Sequence, residues 1–264
     1  MSLTAEQIAK REGKLTGSRV AVLMRGDAEG ILRLYMEMIG EAEPENLDDV
    51  WPVQLGSATE KLSLDWFERK NKRLLTQRGT VAVSEKYPWA AATLDGWDAE
   101  LKCPFEAKHV GGREPLEIII DRYQPQMQWQ MMVTDADKCA LSVIMGANEP
   151  IIEYIERHQP YIDQMIDRGD YFMMCVGLRK PPVELAPIAP PIEPFAEINM
   201  KGNGTWAAQA DRWLQTHGAA EAAKESEKIL KSLVPPEAKR CFGYGVRISR
   251  DRAGRLSLRE GEEK

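Results

Sequence analysis

The stretch Asp95-Gly96-Trp97-Asp98-Ala99-Glu100-Leu101-Lys102-Cys103-Pro104-Phe105 most constrains what this chain can fold into. It reads as a strand, a tight turn at Gly96 and a second strand that Pro104 ends. Strand side chains alternate with period two, so Leu101 and Cys103 share one face while Glu100 and Lys102 share the other. A carboxylate and an ammonium on one strand face make a poor core and a good neighbourhood for a divalent cation. Asp95, just before the turn, can join Glu100 from the adjacent strand. Two carboxylates and a lysine at a sheet end can hold Mg²⁺, position a water and stabilise a phosphodiester transition state. The same triplet also fits an ordinary solvated hairpin, and by itself it does not choose.

The flanking sequence surrounds this hairpin with helices. Residues 4–14 form a short helix capped by Thr4. Leu15-Thr16-Gly17-Ser18-Arg19 is a glycine-and-hydroxyl turn, and Arg11, Ser18 and Arg19 bring donors that can hold a phosphate there; solvated arginines beside a helix cap fit equally. Residues 29–39 and 54–75 have helical apolar spacing. Glu60 lies among the apolar positions of the second, as a helix-dipole partner or as a third acid for the hairpin site. Short β-type runs at 80–83, 88–94 and 100–103 suggest an antiparallel meander, and residues 109–115 a loop. Residues 117–133 form a helix with Tyr123, Gln126 and Gln130 at helical spacing, beginning near Pro125. The three glutamines, Gln126, Gln128 and Gln130, can orient water or touch phosphate, or form a polar face. Strands at 140–145 and 151–157 and a methionine-rich core helix at 161–176 follow.

Six prolines between residues 181 and 194 read as a stiff linker that closes a core of residues 1–180. Residues 195–264 form an extension: an alanine-rich helix interrupted at Gly218, then a β-hairpin turning at Asp251-Arg252-Ala253-Gly254. The net charge is −6, which argues against a non-specific nucleic-acid coat, yet residues 239–259 hold seven basic residues and one acid. Arg247, Arg250, Arg252 and Arg255 are candidates for DNA contact in this extension, against docking of a partner. Four scattered cysteines and three scattered histidines give no zinc or iron–sulfur spacing and suit a reducing, cytoplasmic setting. No apolar run is long enough to span a membrane, and the N-terminus lacks a signal-peptide core.

Four strings carry a resemblance: Leu15-Thr16-Gly17-Ser18, Ala92-Thr93-Leu94-Asp95-Gly96, Glu100-Leu101-Lys102-Cys103-Pro104-Phe105, and the run from Tyr123-Gln124-Pro125-Gln126 to Thr134. Together with Arg11 and Glu60 they resemble the PD-(D/E)xK nuclease superfamily, and within it the YqaJ-type viral recombinases, over residues 11–176. The resemblance implies an α/β restriction-endonuclease-like fold, a central mixed sheet flanked by helices, with the small C-terminal extension outside it. It implies Mg²⁺ or Mn²⁺, as two ions, on Asp95, Glu100 and the Leu101 carbonyl, with Lys102 tending the water, Glu60 supplied by the preceding helix and Gln126 behind the site. Arg11, Ser18 and Arg19 fall where the family holds a 5′-phosphate. The implied activity is 5′→3′ digestion of linear double-stranded DNA to leave 3′ single strands. A single-strand annealing recombinase is the implied partner, a trimeric ring the implied assembly, and a phage or prophage the implied context. Other members of the superfamily, RecB-like or structure-selective endonucleases, and a non-catalytic DNA-binding relative are the alternatives. Sequence from Arg19 onward departs from the acidic or small residues of many relatives.

Overall fold

The computed structural model describes residues 4–191, 200–251 and 253–261. They form two compact units, residues 1–193 and 194–264. The first unit contains α1 (Ala5–Arg11), α2 (Gly17–Arg25), α3 (Ala28–Met38), α4 (Trp51–Asn71), β1 (Leu75–Thr76), β2 (Thr80–Val83), β3 (Ala91–Leu94), β4 (Gly96–Asp98), β5 (Cys103–Val110), α5 (Leu116–Thr134), β6 (Lys138–Met145), β7 (Ile151–Glu156) and α6 (Gln159–Leu178). The second contains α7 (Gly204–Ser232), β8 (Arg240–Gly243), β9 (Val246–Arg250) and β10 (Leu256–Glu260).

Five strands form a mixed sheet in the order β1-β4-β5-β6-β7. Only β5 and β6 run parallel, with Phe105 opposite Ala140 and Glu106 opposite Leu141. Parallel neighbours need a crossover, and α5 supplies it. One sheet face packs on α4, where Phe67 and Phe105 lie with ring centroids 4.7 Å apart among Leu64, Leu75 and Cys103. The other packs on α5 through Met127, Met131, Cys139, Leu141 and Val143. Beyond α5, the helices α2, α3 and α6 close a further core around Trp129, with Ala92 and Leu94 of β3 and Ala90 just before it. The Trp129 indole N–H donates to the Ala91 carbonyl at 3.0 Å, so its one polar atom is satisfied inside that core.

Several sequence expectations change. The segment after Leu15 is not only a turn: Gly17 begins α2, because Val20, Leu23 and Met24 form a buried stripe. Pro125 does not begin α5; it lies buried inside a helix that starts at Leu116. Residues 99–102 are a turn, not a strand, and Pro104 sits inside β5 instead of ending a strand. The proline occupies the second position of β5, near the strand end where a missing N–H is tolerated. Gly218 does not interrupt α7.

The proline-rich stretch is extended but is no free spacer over residues 181–191. The Ile188 N–H donates to the Met24 carbonyl at 2.8 Å, the Val183 N–H to the Tyr171 hydroxyl at 3.0 Å, and Arg168 ties the Leu23 and Ala186 carbonyls together. Leu185 and Ile188 pack against the α2/α6 core. A Cβ at Gly26 would lie 2.5 Å from the Leu185 carbonyl oxygen, and Gly26 also has φ +66, so glycine is needed for the strap to pass. Residues 192–194 of the expected linker lie outside the described residues.

In the second unit α7 has no buried residue, and a three-stranded antiparallel sheet in the order β10-β9-β8 replaces the expected hairpin. Ile248 at its centre is buried. The Asp251 carboxylate accepts the Ala253 and Arg255 N–H groups at 2.9 and 2.8 Å, shaping the turn before β10. Arg252 lies outside the described residues. No helix among the described residues is long and apolar enough to cross a membrane.

Candidate active site

The site is built where β4 leaves β3. Gly96 pairs with Phe105 and Asp98 with Cys103 in the antiparallel β4–β5 ladder. Continuing that register one step places Asp95 opposite Glu106, not opposite Glu100. The Asp95 Oδ2 accepts the Ala107 N–H at 2.8 Å, which anchors the carboxylate to β5. Period two along β5 sets Glu106 and Lys108 on the same face, towards α5. Glu106 is fully buried. It ion-pairs with Lys108, and its two oxygens accept from the Gln126 and Gln130 side-chain amides, each at 2.5 Å. Gln126 and Gln130 are four apart on α5 and so share a face; Tyr123, three residues earlier, holds the Lys108 ammonium 5.1 Å from its ring centroid.

The electrostatics follow from burial. Desolvation pushes the Asp95 carboxyl well above the ordinary carboxylate range; Glu106 and Glu60 push it further, against the pull of Lys108 and the Ala107 N–H. Burial alone would lower Lys108, but Glu106, Asp95 and Tyr123 outweigh it and raise its pKa. The ammonium is therefore held protonated between two carboxylates. Among the described residues no cluster of three or more His, Cys, Asp and Glu side chains is gathered closely enough to hold a metal alone. Two carboxylates with Glu60 nearby are hard oxygen donors, and such a set fits a cation that keeps several waters, as Mg²⁺ does.

The structure divides the residues named from the sequence. Asp95, Glu60 and Gln126 come together. Glu100, Leu101 and Lys102 do not join them: they form the turn beyond the Asp98–Cys103 pair, at the far end of the hairpin from Asp95. Glu100 and Lys102 are exposed, and Lys102 has φ +51, a left-handed turn conformation. Buried Asp98 shapes that turn by accepting the Glu100 and Leu101 N–H groups, both at 3.1 Å, and it faces Arg73 at 3.3 Å. Glu106 and Lys108 occupy the place that Glu100 and Lys102 were expected to fill. Their signal is legible: Glu106-Ala107-Lys108 is a second Glu-x-Lys, eleven residues after Asp95 and inside a β-type run to Val110. Ending the strand at Pro104 hid it.

A second group of polar side chains lies beside the first, where Gly17 meets Gln126. α2 begins at Gly17 with Thr16 as N-cap and no side-chain cap, leaving its first amides free for an anion. The Thr16 and Ser18 hydroxyls lie 3.2 Å apart there. Arg11 makes no hydrogen bond or ion pair among the described residues through its side chain, and burial followed by the neighbouring Arg19 charge lowers its pKa. Arg19 is anchored to the Lys14 carbonyl at 2.8 Å. A Cβ at Gly17 would stand 2.9 Å from Gln126 Cγ, so the start of α2 abuts the side chain that holds Glu106. In the extension, Arg250 is spent on the Ala238, Pro235 and Gly254 carbonyls. Arg247 and Arg255 are exposed.

This mixed sheet, with a parallel β5–α5–β6 unit and the acidic bend at Asp95, is the PD-(D/E)xK restriction-endonuclease-like fold. Two solved structures share it. An alkaline exonuclease from Laribacter hongkongensis aligns with TM-score 0.56 at 20% identity, covering 67% of this chain and 94% of that one. The same exonuclease in complex with dAMP aligns with TM-score 0.57 at 22% identity, again over 67% and 94%. Residues 8–137 match the YqaJ-like viral recombinase domain. No curated protein matches the chain.

Proposed function

We propose that this chain is a Mg²⁺-dependent exonuclease that digests one strand of linear double-stranded DNA from its 5′ end and leaves a 3′ single strand. The observation that carries the reading is buried Glu106, clamped by Gln126 and Gln130, with half-buried Asp95 and Lys108 beside it. The YqaJ-like domain and the shared alkaline exonuclease fold support a DNA exonuclease in general. Asp95 and Glu106 would hold the metal, with Glu60 reaching the same place. When bound, Mg²⁺ or Mn²⁺ supplies charge neutralisation on the phosphoryl oxygens and a more acidic water. Lys108, held protonated, donates a hydrogen bond to the attacking water or to a phosphoryl oxygen. Gln126 and Gln130 fix the Glu106 carboxylate, so it does not reorganise as charge develops. The Arg11, Ser18 and α2 N-terminal pocket would take the terminal 5′-phosphate, and Gln126 between the pockets sets the distance from end to cleavage. A ring of three copies and an annealing recombinase as partner complete the proposal.

A time course with Mg²⁺ on linear duplex bearing 5′-phosphate, on linear duplex bearing 5′-hydroxyl and on covalently closed circles tests it. Mononucleotide release from the first, slower release from the second and none from the circle are expected; nicking of the circle would sink the exonuclease assignment. Arg11→Ala should reduce the preference for 5′-phosphate about tenfold, the size of one charge-assisted contact. An unchanged preference would move the phosphate pocket elsewhere.

Metal binding has a thermodynamic signature. Because the folded-state pKa of Asp95 is raised, the stability it contributes is present in full below the unfolded value of about 3.9 and is lost as pH rises through the folded value. A cation that neutralises the carboxylates restores it. Mg²⁺ should therefore raise the melting temperature more at about pH 8 than at about pH 5. Equal shifts at the two pH values would exclude Asp95 from the metal site.

A further inference from the structure

The second unit has a sheet face that the nuclease site does not use. In β8–β10 the residues alternate between two faces. Cys241, Ile248 and Leu258 lie opposite one another on the inner face, with Ile248 buried. The outer face carries two cross-strand rows. Phe242 stands opposite Arg247, which stands opposite Arg259; Arg240 stands opposite Ser249, which stands opposite Ser257. Arg240, Arg247 and Arg259 are exposed, Phe242 is 72% exposed, and Tyr244 in the β8–β9 turn is 99% exposed. Among the described residues of β8–β10 no acidic residue falls on this face: Glu260 alternates to the inner side and Asp251 is tied into its turn.

We propose that the outer face of β8–β10 is a binding surface for single-stranded DNA. This face offers both halves of the chemistry. Three arginines with no acidic residue on their face among the described strand residues, on a chain of net charge −6, are a local positive field complementary to a phosphate backbone. Two exposed aromatic rings beside them offer platforms for unpaired bases, while bases inside a duplex present no free faces to stack. An extended strand laid along such a sheet puts its phosphates over the arginines and its bases on Phe242 and Tyr244. An acidic peptide would answer only the arginines. The choice of DNA over RNA rests on the exonuclease reading, whose product is a DNA single strand; the choice of a single strand rests on this face alone.

Binding is measured on the full chain in EDTA, by fluorescence anisotropy with a labelled oligo-dT of about 20 nucleotides, a duplex of equal length, oligo-rU and a glutamate-rich peptide. Oligo-dT should bind with an affinity that falls steeply with salt. The double variant Phe242→Ala/Tyr244→Ala should lose about tenfold or more of oligo-dT affinity with little change for the duplex. Arg247→Glu/Arg259→Glu should weaken oligo-dT and flatten its salt dependence. All four side chains are exposed, so circular dichroism should be unchanged. Unaltered oligo-dT affinity in the aromatic variant, an equal loss for duplex and single strand, or tighter binding of the peptide would overturn the proposal. Tighter binding of oligo-rU would overturn the assignment to DNA. Since EDTA removes catalysis from the measurement, a chain without nuclease activity still answers this question, and a parent chain that hydrolyses DNA in Mg²⁺ yet shows no oligo-dT affinity in EDTA rejects this surface alone.

Discussion

Glu106→Gln should reduce single-turnover nucleotide release from linear duplex on the order of 10³-fold, while Glu100→Gln leaves it within about twofold. The two carboxylates head two Glu-x-Lys triplets six residues apart, on either side of Pro104. Glu106 is buried, faces the Asp95 side of the hairpin and is held by Gln126, Gln130 and Lys108. Glu100 is exposed in a turn. The glutamine keeps the shape of the side chain and removes its charge, so the fold survives and the metal loses a charged ligand. The comparison is made at saturating Mg²⁺ with both variants checked by circular dichroism. Loss of rate in the Glu100 variant and full rate in the Glu106 variant would return the site to the first triplet.

Lys108→Met should lower the same rate by about 10²–10³-fold, the range for removing one preorganised hydrogen-bond donor. Its second effect has the opposite direction. In the metal-free protein the ammonium is the cation that neutralises Glu106 and Asp95. Removing it leaves two buried carboxylates uncompensated, a loss of roughly 3–5 kcal/mol when a buried pair is broken from one side. A divalent cation no longer competes with Lys108 and relieves that repulsion. The variant should thus be less stable than the parent in EDTA, regain most of the difference in Mn²⁺, and bind Mn²⁺ by calorimetry at least as tightly as the parent. Weaker Mn²⁺ binding together with unchanged stability in EDTA would show that Lys108 does not sit between the metal ligands.

The strap over residues 181–191 shows how far composition alone reaches. Its five prolines imply an extended chain, and the chain is extended. That it lies against α2 and α6 depends on Gly26, Arg168 and Tyr171, none of which is near it in sequence. α2 was hidden for a related reason. Nine residues with a glycine start and little amphipathic length look like a turn until the core that buries Val20 and Leu23 exists.

Asp95, Glu60 and Gln126, which the structure gathers, could be singled out in the sequence because each is marked locally: a carboxylate before a glycine bend, an acid on a helix, and an amide at helical spacing from Tyr123 and Gln130. The long helices and the strands β6 and β7 were legible for the same reason, since periodicity is written in neighbouring residues, whereas β5 at the middle of the sheet was not. Which Glu-x-Lys becomes the site was not. Both triplets have the same spacing and both lie near a proline. The β4–β5 register, the parallel pairing of β5 with β6 and the approach of α5 decide between them, and these are contacts between residues distant in the chain. A one-triplet shift along the hairpin changes nothing in local propensity. It decides whether the carboxylate is buried beside Asp95 under two glutamines or left in solvent, and only the assembled sheet and helix can settle that.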